Sequence, residues 1–230
     1  MPVSTDLPPA WLRRLALDSP VPVAVAGRHV RPDGMGRRRR HHEHGRVLGQ
    51  RDVAADPRRL KRMAHRLEAG ARLGLWPRCL WVSPLRRCAG VSAWLRQRGW
   101  VVRREPRLME LDFGHWDGQP WTSIGPEAMQ AWTDCFMHHA CGDGESLAGL
   151  VGRVEAWLRE SGWGAAQEAD LWRRAPVLAH AGVLQVLQGL LRGQRTWLPA
   201  QWQASTPYAG WWPAPTPHGL LVSDCSRGRS

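Results

Sequence analysis

A chain of 230 residues with 43% hydrophobic and 23% charged residues can bury one sizeable core, which excludes a disordered or fibrous protein. The formal net charge is +12, and such a basic balance can attract nucleic acid, a membrane surface or an anionic substrate. Lys61 is the single lysine among 32 basic residues, and only residues 37–40 form a basic run, so the pattern is more typical of a coding bias than of a nucleic-acid-binding face.

The cysteines and the N-terminal residues indicate the cellular compartment in which the protein is expected. Five cysteines without a CxxC pair are typical of reduced thiols in a cytoplasm, because a disulfide framework needs paired cysteines. The first twenty residues carry Asp6, Arg13 and Arg14 where a signal peptide needs an unbroken apolar stretch. No segment approaches the ~18 apolar residues of a membrane span. We therefore expect a soluble, cytoplasmic protein with no membrane partner.

In chain order, residues 1–19 are expected to form an N-terminal arm, and the apolar run 20–26 predicts a buried strand that ends at Gly27. The stretch rich in Gly, Arg and His that follows, to about residue 50, predicts a loop. Asp56 and Pro57 indicate a helix start, with an N-cap residue before a proline at the first helical position. The apolar residues of this helix fall on one face, at Leu60, Met63, Leu67 and Ala71.

The rest of the chain alternates short apolar runs with helical patterns. Strands are predicted at residues 79–82, 100–102 and 176–179, and helices at residues 85–98, 123–139, 146–160 and 183–191. Residues 196–230 form a weakly patterned tail, in which 219–222 is a further strand candidate. This alternation predicts parallel βαβ units in a single α/β domain over residues 1–230.

Chemically capable side chains follow the predicted strands. Arg28 and His29 come after the first strand, Arg87 shortly after the second, and His180 directly after the last. Ligand sites of parallel sheets lie at the carboxyl ends of the strands, so these residues should converge at one edge. Each alone is typical of a structural or solvated residue. Two histidines and two arginines, together with the carboxylate of Glu110, favour a functional site.

Four segments carry a family resemblance: SPLRRC (83–88), RLMELDFGHWDG (107–118), GDGESL (142–147) and VLAHAGV (177–183). In this order and spacing they resemble the histidine phosphatase superfamily, its phosphoglycerate mutase-like branch and especially the α-ribazole phosphatase-like members. The resemblance spans residues 23–192. It implies a three-layer α/β/α sandwich with a mostly parallel central sheet, and a reaction that uses no cofactor and no metal.

The resemblance also implies a role for each matching residue. His29 stands at the nucleophile of the family's Arg-His-Gly motif, and Arg28 and Arg87 match the phosphate-binding arginines. Glu110 matches the acid that protonates the leaving oxygen, and His180 matches the second histidine, which also binds the phosphoryl group. These residue types suit phosphoryl transfer, because charge spreads over three equatorial oxygens and arginine binds such oxygens bidentately while keeping its own charge.

Val30, Ser146 and Ala181 are predicted to line the pocket. Ser146 is also expected to cap a helix, and in the family this Gly-Glu-Ser turn borders the pocket. Val30 departs from the family, whose glycine lets the backbone approach the phosphate, whereas valine crowds it. Pro32 and Met35 stand near the positions where many members carry a hydroxyl group and an asparagine, so fewer donors should reach the phosphate.

The run RRRRHHEHG at residues 37–45 is interpreted as an insertion. Three interpretations stay open: a solvated loop, a basic lip that attracts anionic substrate, or a site that binds a transition metal through His41, His42, Glu43 and His44. Adjacent histidines cannot all face one ion, so a catalytic metal is not expected.

Together these observations predict a metal-independent phosphomonoesterase that acts on a small molecule through a phosphohistidine, and the resemblance suggests α-ribazole phosphate. Two alternatives stay open: a phosphoglycerate mutase, which re-donates the phosphoryl group and excludes water, and a degenerate member that binds phosphorylated ligands or nucleic acid without turnover. The expected partner is a small phosphorylated substrate rather than nucleic acid, and a homodimer is left open.

Overall fold

The computed structural model describes residues 24–32, 45–164, 170–202 and 206–214. These residues form five strands and six α-helices, joined by loops and short 3-10 turns. In chain order the elements are β1 (Val25–Arg28), α1 (Pro57–Arg72), β2 (Cys79–Val82), α2 (Arg86–Ala89), α3 (Ser92–Arg96), β3 (Val101–Arg104), α4 (Pro126–Asp134), α5 (Leu147–Ser161), β4 (Val177–Ala179), α6 (Ala181–Leu191) and β5 (Trp211–Pro213).

The five strands form one sheet in the order β3-β2-β4-β1-β5. The first four strands of this order run parallel, and β5 pairs antiparallel with β1 at the edge. Arg28 pairs with Ala179, the last residue of β4, so the residues that follow these two strands lie side by side. This register brings His29 beside His180 at the carboxyl edge of the sheet. The prediction of a mostly parallel α/β sheet is confirmed.

Side chains alternate between the two faces of the sheet, and helices cover both faces. Ala26, Trp81 and Val177 pack in one hydrophobic cluster with the buried residues of α5 and α6. Val25, Leu80 and Leu178 pack in a second cluster on the other face, with the buried residues of α1 and α3. Because neighbouring strand residues point to opposite faces, both faces need apolar cover. The result is the expected three-layer α/β/α sandwich.

Several element boundaries differ from the prediction. The helix expected at residues 85–98 is two short helices, α2 and α3, separated by Gly90 and Val91. A Cβ atom at Gly90 would lie 2.6 Å from Leu60 Cδ1, so glycine allows close packing against α1 here. The helix expected at residues 123–139 is the shorter α4, which begins at Pro126 because proline suits the first turn of a helix. Helix α6 begins at Ala181 with His180 as its N-cap, two residues earlier than expected.

Strands β1 and β5 also differ from the prediction. Strand β1 includes Arg28, which the sequence had suggested would follow it. Strand β5 was not predicted, and the ring of Trp211 packs where a Cβ atom on Gly27 would lie, 2.4 Å from Trp211 Cε3. The N-terminal arm 1–19, residues 20–23 and the candidate strand 219–222 lie outside the described residues. Among the described helices, none combines the length and apolar composition that a membrane span requires.

Candidate active site

His29 follows β1 and is almost completely buried, at 3% exposure. Its Nδ1 atom lies 2.6 Å from the carbonyl oxygen of Val30. A carbonyl oxygen only accepts hydrogen bonds, so Nδ1 carries the proton and Nε2 carries the lone pair. The ring of His29 lies beside that of His180, with centroids 4.9 Å apart. This tautomer leaves the lone pair of Nε2 unprotonated.

His180 is fully buried at the N-terminus of α6 and is held from two sides. Arg87 donates from Nε to His180 Nδ1 at 3.2 Å, and His180 Nε2 lies 2.7 Å from Ser83 Oγ. Because the guanidinium can only donate, Nδ1 accepts, so Nε2 bears the proton and donates to Ser83. The ring is therefore fixed in one neutral tautomer.

Arg87 is completely buried beneath the two histidines. It sits on α2, which begins directly after the short turn that follows β2. Its terminal nitrogens donate to the carbonyl oxygens of Arg51, at 2.9 Å, and Gly49. These backbone contacts satisfy the side chain without a carboxylate, so the positive charge is not cancelled by an ion pair. Burial lowers the pKa of Arg87, and the group still stays charged at neutral pH.

Arg28 lies on the tail side of the same pocket. Its terminal nitrogen donates to the carbonyl oxygen of Thr206 at 3.0 Å, and its guanidinium lies 4.0 Å from the ring centroid of Tyr208. Its Nε atom is buried and has no hydrogen-bond partner among the described residues. A buried donor without an acceptor is costly. An anion in the pocket would supply that acceptor.

The electrostatics of the pocket keep both histidines neutral. Burial, followed by the charge of Arg87, lowers the pKa of His29 well below its usual 6.5, and Arg28 adds to this effect. Burial and then Arg87 lower the pKa of His180 in the same way. Desolvation and a nearby positive charge both disfavour an imidazolium. An unprotonated imidazole is the form that can act as a nucleophile.

Glu110 is buried, at 8% exposure, and its carboxylate contacts the first turn of α6. One carboxylate oxygen accepts from the backbone N–H of Leu111 at 3.1 Å, and the other from that of Gly182 at 3.2 Å. Gly182 makes room for this carboxylate, because a Cβ atom there would lie 2.5 Å from Glu110 Oε1. Glu110 thus contacts Gly182, which lies two residues after His180 in the chain.

Arg153 fixes the backbone that carries Glu110. It donates to the carbonyl oxygens of Arg107 and Met109, each at 2.7 Å, and to that of Glu110 at 3.0 Å. It also pairs with Glu145 at 2.7 Å. Arg153 therefore stabilises the backbone of residues 107–110.

The three predicted pocket-lining residues lie in different surroundings. The side chain of Val30 is buried in the cluster that includes residues of α1, and its carbonyl oxygen contacts His29 Nδ1. Ser146 caps α5 by accepting from Gly149 N at 3.2 Å. Ala181 is half-buried in the first turn of α6, between His180 and Gly182.

Sequence reasoning missed three neighbours of the histidines. Ser83 begins the SPLRRC motif, but the motif did not predict that it contacts His180 directly. The Cys88 thiol lies 3.6 Å from His180 Nε2 and donates to the carbonyl oxygen of Ala179 at 3.5 Å, and burial raises its pKa. The Tyr208 ring lies 5.5 Å from that of His29. Tyr208 is the only tyrosine of the chain, and nothing in its flanking sequence predicts this contact.

The metal hypothesis is not addressed by the part of the chain that is described. Residues 33–44 begin directly after Pro32 and include most of the Arg/His run. They lie outside the described residues. Within the described ranges, no group of three His, Cys, Asp or Glu side chains is arranged to hold a metal ion.

A buried histidine pair with two arginines and a carboxylate, at the carboxyl edge of a parallel sheet, has the residue types that suit phosphoryl transfer. The sequence matches the model of the histidine phosphatase superfamily (branch 1) over residues 39–209, which is most of the chain. The protein belongs to this superfamily, and it is a phosphatase or phosphoryl-transfer enzyme.

Solved structures agree with this assignment. The native structure of mycobacterial glucosyl-3-phosphoglycerate phosphatase is 28% identical with a TM-score of 0.57, covering 82% of this chain and 87% of that one. Its complex with VO3 gives 25% identity and a TM-score of 0.61, covering 83% and 91%. Its complex with inorganic phosphate gives 29% identity and a TM-score of 0.53, covering 74% and 79%. A search of curated sequences finds no match.

The family match includes Arg87, Glu110 and His180 but begins after Arg28 and His29. The assignment of the last two therefore depends on the fold. Their place at the end of β1, paired with the end of β4, puts them beside a histidine that the family match does cover.

Proposed function

We propose that this protein is a phosphomonoesterase that hydrolyses a small-molecule phosphate through a phosphohistidine at His29, without a metal. The observation that carries the proposal is the state of His29: a buried, neutral imidazole whose Nδ1 proton is engaged by the Val30 carbonyl oxygen at 2.6 Å. A histidine held in this way offers Nε2 to a substrate bound between Arg28 and Arg87. The same carbonyl oxygen stabilises the imidazolium charge that develops when Nε2 forms a bond.

In the first step the Nε2 lone pair of His29 attacks the phosphorus atom, and the bond from phosphorus to the ester oxygen breaks. Glu110, in its protonated form, gives its proton to the departing alkoxide, which leaves as an alcohol. Charge on the equatorial oxygens is stabilised by Arg28 and Arg87. The histidine is then a phosphorylated imidazolium, and Glu110 is a carboxylate.

In the second step the Glu110 carboxylate takes a proton from a water molecule, whose oxygen attacks phosphorus. The phosphorus–nitrogen bond breaks, and its electron pair returns to Nε2 of His29. Inorganic phosphate leaves, and both residues regain their starting protonation states. His180, which donates to Ser83 in the absence of substrate, can turn its Nε2–H to a phosphoryl oxygen.

Two substrates are the first to test. Glucosyl-3-phosphoglycerate is suggested by the similar mycobacterial glucosyl-3-phosphoglycerate phosphatase. α-Ribazole phosphate is suggested by the family resemblance of the sequence motifs. A mutase or a degenerate ligand-binding member would show little hydrolysis of either. We also propose a cytoplasmic location, supported by Cys79, Cys88, Cys135 and Cys141, which are all free thiols.

The test is hydrolysis of p-nitrophenyl phosphate in the presence of EDTA by the wild type and by His29→Ala. We expect activity that resists EDTA, a loss of at least ~10³-fold in His29→Ala, and acid-labile ³²P on the wild type after rapid quenching. The matched control is His138→Ala, which removes an exposed histidine on the loop after α4. Activity that persists in His29→Ala, or that EDTA abolishes, contradicts the proposal.

A further inference from the structure

A cavity lies on the α1 side of β1, and its lining includes Val30 and Tyr208, which are both neighbours of His29. It has a volume of about 250 Å³, enough for an ionised group and a few carbon atoms. Its lining includes Val30, Arg31, Arg59, Arg62, Arg66 and Tyr208. Four of the eight lining residues are arginines, and among the described residues the lining holds no acidic side chain.

The arginines of α1 are placed on one face of the helix. Arg59, Arg62 and Arg66 follow spacings of three and four residues, at which side chains on a helix are neighbours. Like charges at these spacings destabilise a helix. Asp56 Oδ2 lies 3.8 Å from Arg59 Nε and relieves part of this repulsion, but it does not line the cavity. A bound anion would relieve the rest.

Two of the arginines are held in place by backbone carbonyl oxygens, and Arg59 also forms the ion pair with Asp56. Arg59 donates to the carbonyl oxygen of Arg31 at 3.3 Å, and Arg66 donates to that of Ala209 at 3.2 Å. Their orientation is therefore set while their charge is retained. Arg62 is exposed at the cavity, between them on the helix.

Val30 and Tyr208 connect this cavity with the site of phosphoryl transfer. Val30 follows His29 in the chain and accepts from it through its carbonyl oxygen. The Tyr208 ring lies 5.5 Å from the ring of His29 and also lines the cavity. A molecule with one anionic group at His29 and a second anionic group a few bonds away can therefore reach both the His29 site and the cavity.

We infer that this cavity is an oxyanion subsite, which binds a phosphate, sulfate or carboxylate group beside the reacting phosphoryl group. The inference rests on the proposed function, and it names the substrate class: phosphomonoesters with a second anionic group. Arginine forks suit such oxygens through bidentate hydrogen bonds. The oxyanion is either part of the substrate or a separate small anion, and two measurements distinguish these sources.

The first measurement uses α,ω-alkanediol bisphosphates with two to six carbons, each compared with the ω-hydroxyalkyl monophosphate of the same length. If the second group belongs to the substrate, kcat/KM favours the bisphosphate by about tenfold or more at one length. Arg62→Gln should abolish this preference while leaving monophosphate hydrolysis intact. Arg58→Gln, which removes an exposed charge from the same helix outside the cavity, should retain it.

The second measurement is the rise in melting temperature of the intact protein with sodium sulfate. A separate anion at the subsite predicts a sulfate-dependent rise that is smaller in Arg62→Gln than in Arg58→Gln, with no bisphosphate preference. This readout needs no turnover, so it separates the subsite from the phosphatase reaction, which the His29→Ala comparison tests. If Arg62→Gln and Arg58→Gln match in both measurements, the inference is wrong.

Discussion

The Nε2 atom of His180 lies 2.7 Å from Ser83 Oγ, on the side of the ring opposite the contact from Arg87. Ser83 directly follows β2, and its backbone N–H donates to the carbonyl oxygen of Leu178 in β4 at 3.0 Å. The hydroxyl group that orients His180 is therefore fixed by the sheet itself. We therefore expect Ser83 to act on the proposed reaction through His180, as a positioning residue.

Ser83→Ala should lower kcat by about tenfold with little change in KM, because a buried Nε2–H loses its acceptor and the ring loses its fixed orientation. Steady-state kinetics with p-nitrophenyl phosphate measures this split. Ser92→Ala is the matched control: its Oγ is buried, without a hydrogen-bond partner among the described residues. Ser83→Thr keeps the hydroxyl group and should restore part of kcat. Equal kinetics for Ser83→Ala and Ser92→Ala would show that the contact does not position His180.

The depressed histidine pKa values predict how stability depends on pH. An unfolded histidine takes up a proton near pH 6.5, whereas folded His29 and His180 stay neutral to lower pH. The unfolded state therefore binds more protons below pH 6.5. The free energy of unfolding should fall as the pH drops through this window, by about 1.4 kcal/mol per pH unit for each histidine. Urea unfolding between pH 5 and 8 measures this slope.

His180→Asn should make this slope shallower, and His138→Asn, which removes an exposed histidine, should leave it as in the wild type. The pH profile of kcat/KM gives a second readout that does not depend on the variant folding. Because His29 must be neutral to attack, the acid limb that it controls should lie below pH 6.5. An acid limb assigned to His29 at or above pH 6.5 would contradict the electrostatic account.

Much of the site was predictable because its residues follow parallel strands directly. His29 and His180 come one residue after the paired Arg28 and Ala179, so an apolar run followed by a polar residue was enough to place them together. The three-layer fold was predictable for the same reason, since short apolar runs alternating with amphipathic helices leave few arrangements. The family motifs then supplied the roles.

The remaining contacts depend on distant pieces of chain that have no periodic signal. Tyr208 reaches His29 from a tail without a helical or strand pattern, through a turn that precedes the three-residue strand β5. That strand pairs with β1, and the Trp211 ring occupies the space that Gly27 leaves open. The carbonyl oxygens that hold Arg87 are backbone atoms, which no side-chain pattern reveals.

Glu110→Gln tests the general acid, because its effect should depend on the leaving group. An amide cannot protonate an alkoxide, so kcat/KM for an alkyl phosphate should fall by about 10²–10⁴-fold. The loss should be much smaller for p-nitrophenyl phosphate, whose phenolate leaves without a proton. The matched control is Glu155→Gln, which removes an exposed carboxylate of α5 that pairs with Arg195. An equal loss for both substrates would mean that Glu110 is not the acid.

Gly182→Ala tests whether the position of Glu110 matters as much as its identity. The added methyl group would lie 2.5 Å from Glu110 Oε1 and 3.4 Å from Trp202 Cζ2, so the carboxylate must move while the backbone can stay. A displacement of this kind lowers kcat by about 10–100-fold, again more for an alkyl phosphate than for p-nitrophenyl phosphate. Stability should not fall much, because alanine is favoured over glycine in a helix by about 1 kcal/mol.

Gly152→Ala is the matched control for this change, since it lies in α5, where an added methyl group would meet no atom within 4 Å. It should raise the melting temperature and leave the kinetics unchanged. If Gly182→Ala keeps the wild-type kcat for both substrates, the carboxylate tolerates displacement, and its backbone contacts with Leu111 and Gly182 serve the fold alone. If kcat falls only for the alkyl phosphate, Gly182 is what keeps the proton of Glu110 within reach of the leaving oxygen.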